Sequence, residues 1–277
     1  MSKRIVGFDY LKVLLAFLVI CGHILQRRIT CCGEDDDIVF YMYYFIYSFH
    51  MPLFIFISGY FLYGKSLFIL SFIKCKFWQL IFPCLFWGVF LTSYDYLFKT
   101  NDILVLSKDF VTNQLWYLKS YFLICILMLP FLTTSKYRLH IAFLSWLIGM
   151  ISGAFFLLAT QVPAFLLGWY AHSKEKECNK WRFPILSISL LIFVIELLFI
   201  HPSINVNELN YIRTGNIMVL TDYIHRILLA FSGCICFFLI FLNFRTTPLF
   251  NGLGGGNLKI YPRYIYYTES LGRAISF

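Results

Sequence analysis

The sequence predicts an all-α fold, a polytopic transmembrane helical bundle of about eight spans with its N-terminus in the cytoplasm, and three observations carry that reading. The 277 residues are 60% hydrophobic and only 13% charged, with a mean hydropathy of +0.75, where soluble domains carry roughly 25% charged residues. Apolar runs of about 20 residues recur along the chain, each long enough to cross a bilayer. Lys and Arg alternate between dense and sparse in the successive breaks, which is the positive-inside pattern. With 32 Phe and 19 Tyr, too little polar surface remains to coat a water-facing particle, so a soluble domain is excluded.

The spans fall near 8–25, 41–63, 77–98, 115–132, 139–155, 157–172, 183–200 and 218–243. The first follows a basic start at Lys3 and Arg4, but Asp9 and Lys12 interrupt it and no small-residue cleavage site follows, so it reads as a retained helix. The second is aromatic throughout and carries Pro52 and Ser58-Gly59, which bend a helix or admit a close neighbour. Lys74 and Lys76 precede the third, and Trp116-Tyr117 at the start of the fourth fits an interfacial aromatic belt. The fifth and sixth are divided only by the weakly polar break at Gly153, so they read as a tight hairpin or a re-entrant pair. The seventh contains Glu196 and the eighth Asp222, His225 and Arg226, with Asp222 and Arg226 spaced for a same-face ion pair.

With the N-terminus inside, Lys3, Arg4, Lys12, Lys65, Lys74, Lys76, Lys136, Arg138, Lys174, Lys176, Lys180, Arg182, Arg245, Lys259, Arg263 and Arg273 are cytoplasmic. Outside loops hold Arg27, Arg28, Lys99, Lys108 and Arg213. The net charge of +9 is therefore spread over short loops and reports topology; no nucleic-acid partner is expected. The nine Cys form no CxxC pair and no Cys/His spacing suited to zinc, so no metal site is expected; most read as small packing residues, and the adjacent Cys31 and Cys32, in an outside loop, carry no signal.

Polar residues inside apolar spans cost at least about 2.5 to 3.5 kcal/mol near the bilayer centre and so need a reason. Asp9 and Lys12 share a helix face and can pair or reach headgroups. His23 lies eleven residues beyond Lys12, about three turns and about 16 Å along the axis, on nearly the same face. One path lined by both is the functional reading; a neutral imidazole bonded to a neighbouring helix is the structural one. His50, beside the backbone opened by Pro52, is open to the same two readings. The run Gly252 to Gly256 follows no strand and has no Lys-Ser or Lys-Thr ending, so it is not a phosphate loop.

Read together, Arg4, Phe8-Asp9-Tyr10-Leu11-Lys12, His23, Phe49-His50-Met51-Pro52-Leu53-Phe54 and Ser58-Gly59-Tyr60-Phe61 resemble the integral-membrane acyltransferase family 3. A basic residue, ten intervening positions and a His mark that family's first helix, as Lys12 and His23 do here. Lys74, Lys76 and Pro83 resemble the opening of its third helix, and Leu115-Trp116-Tyr117-Leu118 its Leu-Trp-Phe-Leu pattern. Lys12 stands where the family more usually has Arg, which keeps the charge but loses the guanidinium fork. After Leu258-Lys259-Ile260-Tyr261 the expected late helix is replaced by Pro262-Arg263 and a polar tail. The domain is thus expected over 1–250, with an atypical, truncated or frameshifted tail over 251–277.

The resemblance implies an O-acyltransferase of the bacterial inner membrane that moves an acyl group, usually acetyl, from acyl-CoA to a hydroxyl of an envelope or exported carbohydrate, as in polysaccharide biosynthesis. It implies the lipid bilayer, acyl-CoA and a carbohydrate as partners, acetyl-CoA as donor substrate and no bound cofactor. Arg4 and Lys12 would attract the donor phosphates, with Lys74 and Lys76 as helpers and Asp9 positioning the first two. His23 would act as general base or carry the acyl group, and His50 would orient or polarise the reacting groups. Pro52, Ser58, Gly59 and Trp116 would shape the site. An inactive, truncated member is the alternative function, with a transporter or flippase ranked below it for want of an inverted repeat.

Overall fold

The computed structural model describes residues 6–32, 37–65, 67–98, 115–152, 158–200 and 217–242. Arg4 and the tail over 251–277 lie outside the described residues. Within the described residues, α1 spans Val6–Cys32 and α2 spans Asp37–Leu62. Next, α3 runs as Ile69–Lys76, a π turn at Phe77–Ile81, and Phe82–Phe98. It is followed by α4 (Trp116–Leu127) with the short α5 (Leu129–Thr133), then α6 (Arg138–Ser152) and α7 (Leu158–Ser173). The short α8 (Glu175–Lys180) leads into α9 (Arg182–Ile195, continued by a π turn at Glu196–Ile200) and α10 (Ile217–Leu242). Among the described residues there is no strand.

Five helices, Gly7–Ile29, Ile38–Leu62, Ile69–Tyr94, Arg182–Ile200 and Leu220–Leu242, are long and apolar enough to cross a membrane, with shorter apolar helices at Trp116–Leu127 and Arg138–Met150. The third helix begins at Ile69, before the apolar run that marks it in the sequence. Its π turn precedes Pro83, whose ring collides with the carbonyl four residues back. The turn widens there, with Phe82 N–H donating to Phe77 O in place of an ordinary α bond.

Contact pairs give the helix directions. Tyr117 meets Phe54 and Tyr121 meets Ser58, Phe165 meets Gly59 and His172 meets Tyr63, and Gly233 meets Phe49 while Phe238 meets Phe56, so α4, α7 and α10 run parallel to α2. On α1, Lys12 meets Phe61 and Gly22 meets Tyr47, so α1 is antiparallel to α2. Arg138 reaches Phe131 and Ser145 reaches Leu127, and Phe193 meets Gly233 while Glu196 meets His225, so α6 and α9 are antiparallel as well. This is the up-and-down alternation a chain of consecutive spans requires, and it holds for the helices on both sides of the Gly153 break.

The second helix lies at the centre of the bundle. One apolar cluster joins Phe8, Leu11 and Leu15 of α1 to Phe49, Phe56 and Tyr60 of α2 and Phe238 of α10. A second joins Ile55 of α2 to Ile124 and Met128 of α4 and to Val162 and Phe165 of α7. Phe, Trp and Leu side chains of α3, among them Trp78, Phe82, Phe86, Trp87 and Phe90, remain exposed, as a lipid-facing helix requires. Gly59 and Gly168 bring α2 and α7 together: a Cβ on Gly59 would run into the Phe165 carbonyl, and one on Gly168 into that of Phe56.

Candidate active site

Along α2, Tyr47, His50, Phe54 and Ser58 follow at helical spacing and form a stripe that faces α1 at one end and α4 further on. The Tyr47 ring lies against Gly22 of α1, and its hydroxyl donates to Gln26 Oε1 at 3.0 Å. His50 is only 1% exposed, with the Tyr47 ring 5.0 Å away edge-on. Its Nδ1 is 2.6 Å from the Ile46 carbonyl, which can only accept, so Nδ1 carries a proton and Nε2 is the acceptor whenever the ring is neutral. His23, exposed next to Gly22, lies within electrostatic range of His50. The two histidines therefore belong to one cluster with Tyr47 and Gln26.

At the other end of the stripe three lysines converge. Lys12 Nζ sits 5.0 Å above the Phe61 ring. Lys76 Nζ donates to the Tyr121 hydroxyl at 3.3 Å and lies 5.0 Å above the same ring. Lys65, in the turn after α2, feels both of these charges; desolvation, then the like charges of Lys76 and Lys12, hold its ammonium below the ordinary lysine range. Among the described residues no carboxylate pairs with any of the three. Like charges gathered without a carboxylate partner among the described residues favour an anion between them.

Lys74 stays outside this group: two residues from Lys76, it points to another face of α3 and is exposed. Asp9 lies half-buried one turn before Lys12. Ser58 donates to the Phe54 carbonyl at 3.0 Å, and Trp116, half-buried, meets the Tyr117 ring edge-on at 6.0 Å. Pro52 is buried within α2, and Gly59 holds the crossing with α7. Arg4 lies outside the described residues.

Gln26, Tyr47, Lys65 and Tyr121 escape sequence reasoning. Lys65 was readable only as topology, and tyrosines among 19 carry no individual signal. A separate polar group lies near the α2 start, where Glu196, 4% exposed, pairs with His225 Nδ1 at 3.1 Å. Asp222, Arg226 and Glu196 all act on Tyr44 there.

A family profile described as an acyltransferase domain matches residues 5–260. The match therefore extends through α10, beyond the N-terminal motifs. Nodulation protein NolL of Sinorhizobium fredii is 32% identical over 193 residues, 64% of this chain and 52% of that protein. Nodulation protein NolL of Mesorhizobium japonicum is 32% identical over 151 residues, 50% of this chain and 39% of that protein. The chain thus spans about half the length, or less, of the curated relatives it matches. No solved structure matches it.

Proposed function

This chain belongs to the membrane acyltransferase family 3, and from that premise we propose that it moves an acyl group, acetyl in the first instance, from acyl-CoA to a hydroxyl of an envelope or exported carbohydrate. The observation that supports this most directly is the polarity of one stripe: three lysines with no carboxylate partner among the described residues at one end, and two histidines within electrostatic range of each other at the other. On α1 alone the two ends, Lys12 and His23, are about 16 Å apart. An elongated donor with phosphates at one end and a thioester at the other matches that division.

In this reading the protein sits in the bacterial inner membrane with the start of α1 in the cytoplasm, where acyl-CoA is available. Lys12, Lys65 and Lys76 hold the donor phosphates, with Lys74 on another face of α3. The acceptor hydroxyl reaches His23, which takes its proton as general base. His50, with its tautomer set by the Ile46 carbonyl, keeps an acceptor nitrogen beside that step. Sugar hydroxyls suit the Tyr47 and Gln26 pair, which can exchange its mutual hydrogen bond for bonds to a polyol.

The test is transfer of labelled acetyl from acetyl-CoA into the glycan fraction of membranes carrying this chain, beside His23→Ala at matched protein levels. Label that disappears with His23 is the expected result. Equal label in both proteins overturns the role of His23, and no label above empty membranes, from stably inserted protein, overturns the acyltransferase reading.

A further inference from the structure

Between the lysines and the histidines the stripe on α2 meets two tyrosines of α4. Tyr121 is engaged already: its hydroxyl receives Lys76 at 3.3 Å and interacts with Ser58. One turn nearer the histidines, Tyr117 stacks on Tyr121 with centroids 6.4 Å apart and 24° between planes, and its ring lies 6.0 Å from Phe54. The next residue of the stripe is His50. The Tyr117 hydroxyl is buried and has no hydrogen-bond partner among the described residues.

Packing does not account for that hydroxyl: a phenyl ring would meet Tyr121 and Phe54 equally well, and the family pattern has Phe at this place, so the hydroxyl is a feature of this chain and not of the family at large. A buried donor without an acceptor is unfavourable in an apolar bundle unless a ligand supplies one. The backbone before it is also constrained. Leu115, two residues earlier, adopts φ 50° and ψ 33°, a left-handed conformation that a branched side chain resists. Helix α4 starts from this strained residue and carries Tyr117 in its first turn.

Resting on the acyltransferase reading above, we propose that Tyr117 is a catalytic residue whose hydroxyl donates to the thioester carbonyl oxygen of the donor. As the acceptor oxygen bonds to the carbonyl carbon, its proton passes to His23 and the carbonyl π pair moves onto oxygen, where the Tyr117 O–H meets the developing charge. Collapse restores the C=O bond and breaks the C–S bond. The sulfur leaves with that electron pair and takes up the proton from His23, giving free CoA and the ester. Tyr121, held by Lys76 and Ser58, fixes the ring that Tyr117 stacks on.

The test compares the full chain with Tyr117→Phe, which removes one oxygen and keeps the ring. The kcat for acetyl transfer is expected to fall about 100-fold or more, with KM for acetyl-CoA nearly unchanged. The ligand-free protein should melt no lower than wild type. An unchanged kcat in Tyr117→Phe beside an active wild type overturns the proposal alone, and so does a rise in KM without loss of kcat. A wild type without transfer overturns the parent reading and this proposal together. A second readout needs no turnover: S-acetonyl-CoA, a ketone that cannot be cleaved, labelled with 13C at the carbonyl. Its carbonyl signal should move downfield on binding the wild type and not on binding Tyr117→Phe; equal shifts overturn the assignment.

Discussion

The Tyr223 hydroxyl of α10 donates to the Ala159 carbonyl of α7 at 2.9 Å, and that carbonyl is the one Pro163 leaves without its helical N–H. The same hydroxyl accepts from Trp146 Nε1 of α6 at 3.0 Å. One oxygen thus repairs the proline gap and ties three helices together. Removing it with Tyr223→Phe leaves the Ala159 carbonyl and the Trp146 N–H unpaired, at a cost of about 1–3 kcal/mol. Thermal unfolding in detergent should show this loss, and adding Trp146→Phe should cost little more, because both substitutions break one network. Additive losses would mean that the two groups act independently.

The crossing of α2 and α7 should tolerate no side chain. Gly59→Ala and Gly168→Ala each drive a Cβ into a backbone carbonyl, which cannot rotate away, so each should destabilise the bundle by about 1–3 kcal/mol or more. Gly22→Ala meets the edge of the Tyr47 ring at 2.9 Å, a side chain that can shift, and should be milder. Size-exclusion profiles after graded heating rank the three; equal behaviour would contradict the close backbone contact.

The lysine cluster predicts salt- and pH-dependent donor binding. Lys12→Gln, Lys65→Gln and Lys76→Gln should each raise KM for acetyl-CoA about three- to tenfold and flatten its dependence on ionic strength. Lys74→Gln, on the exposed face, should change it least. Since the Lys65 ammonium is held below the ordinary lysine range, it loses its proton first as pH rises, while bound phosphate favours the charged form. Donor affinity should therefore weaken on the alkaline side, and Lys65→Arg should move that limb to higher pH. A limb that stays in place in Lys65→Arg would assign it to another group.

Glu196 and His225 form a separate polar pair joined by a hydrogen bond from Nδ1, with the carboxylate 5% and the imidazole 37% exposed. His225→Ala strands the carboxylate and should cost about 1–3 kcal/mol, the partly exposed imidazole limiting the loss. Replacing both residues with Leu removes both polar groups and should restore much of the stability. Melting temperatures of the single and double variants decide; a double variant no better than His225→Ala would show that the pair contributes more than its own charge balance.

Helix positions and the axial relation of Lys12 to His23 were legible in the sequence, because hydrophobic length and the rise per residue are local properties. The histidines and the basic residues stood out for the same reason: each is expensive in an apolar span wherever the chain goes. That Lys76 and not Lys74 turns inward, that Lys65 joins Lys76 and Lys12, that Tyr47 locks onto Gln26, and that Tyr117 has no hydrogen-bond partner among the described residues were settled only by the tertiary structure. In water, a helix reveals its inner face through the side it hides. In a bilayer, lipid and protein interior are both apolar, so the rotation of each helix is fixed by packing and interhelical hydrogen bonds between residues far apart in the chain, such as Tyr223 and Ala159.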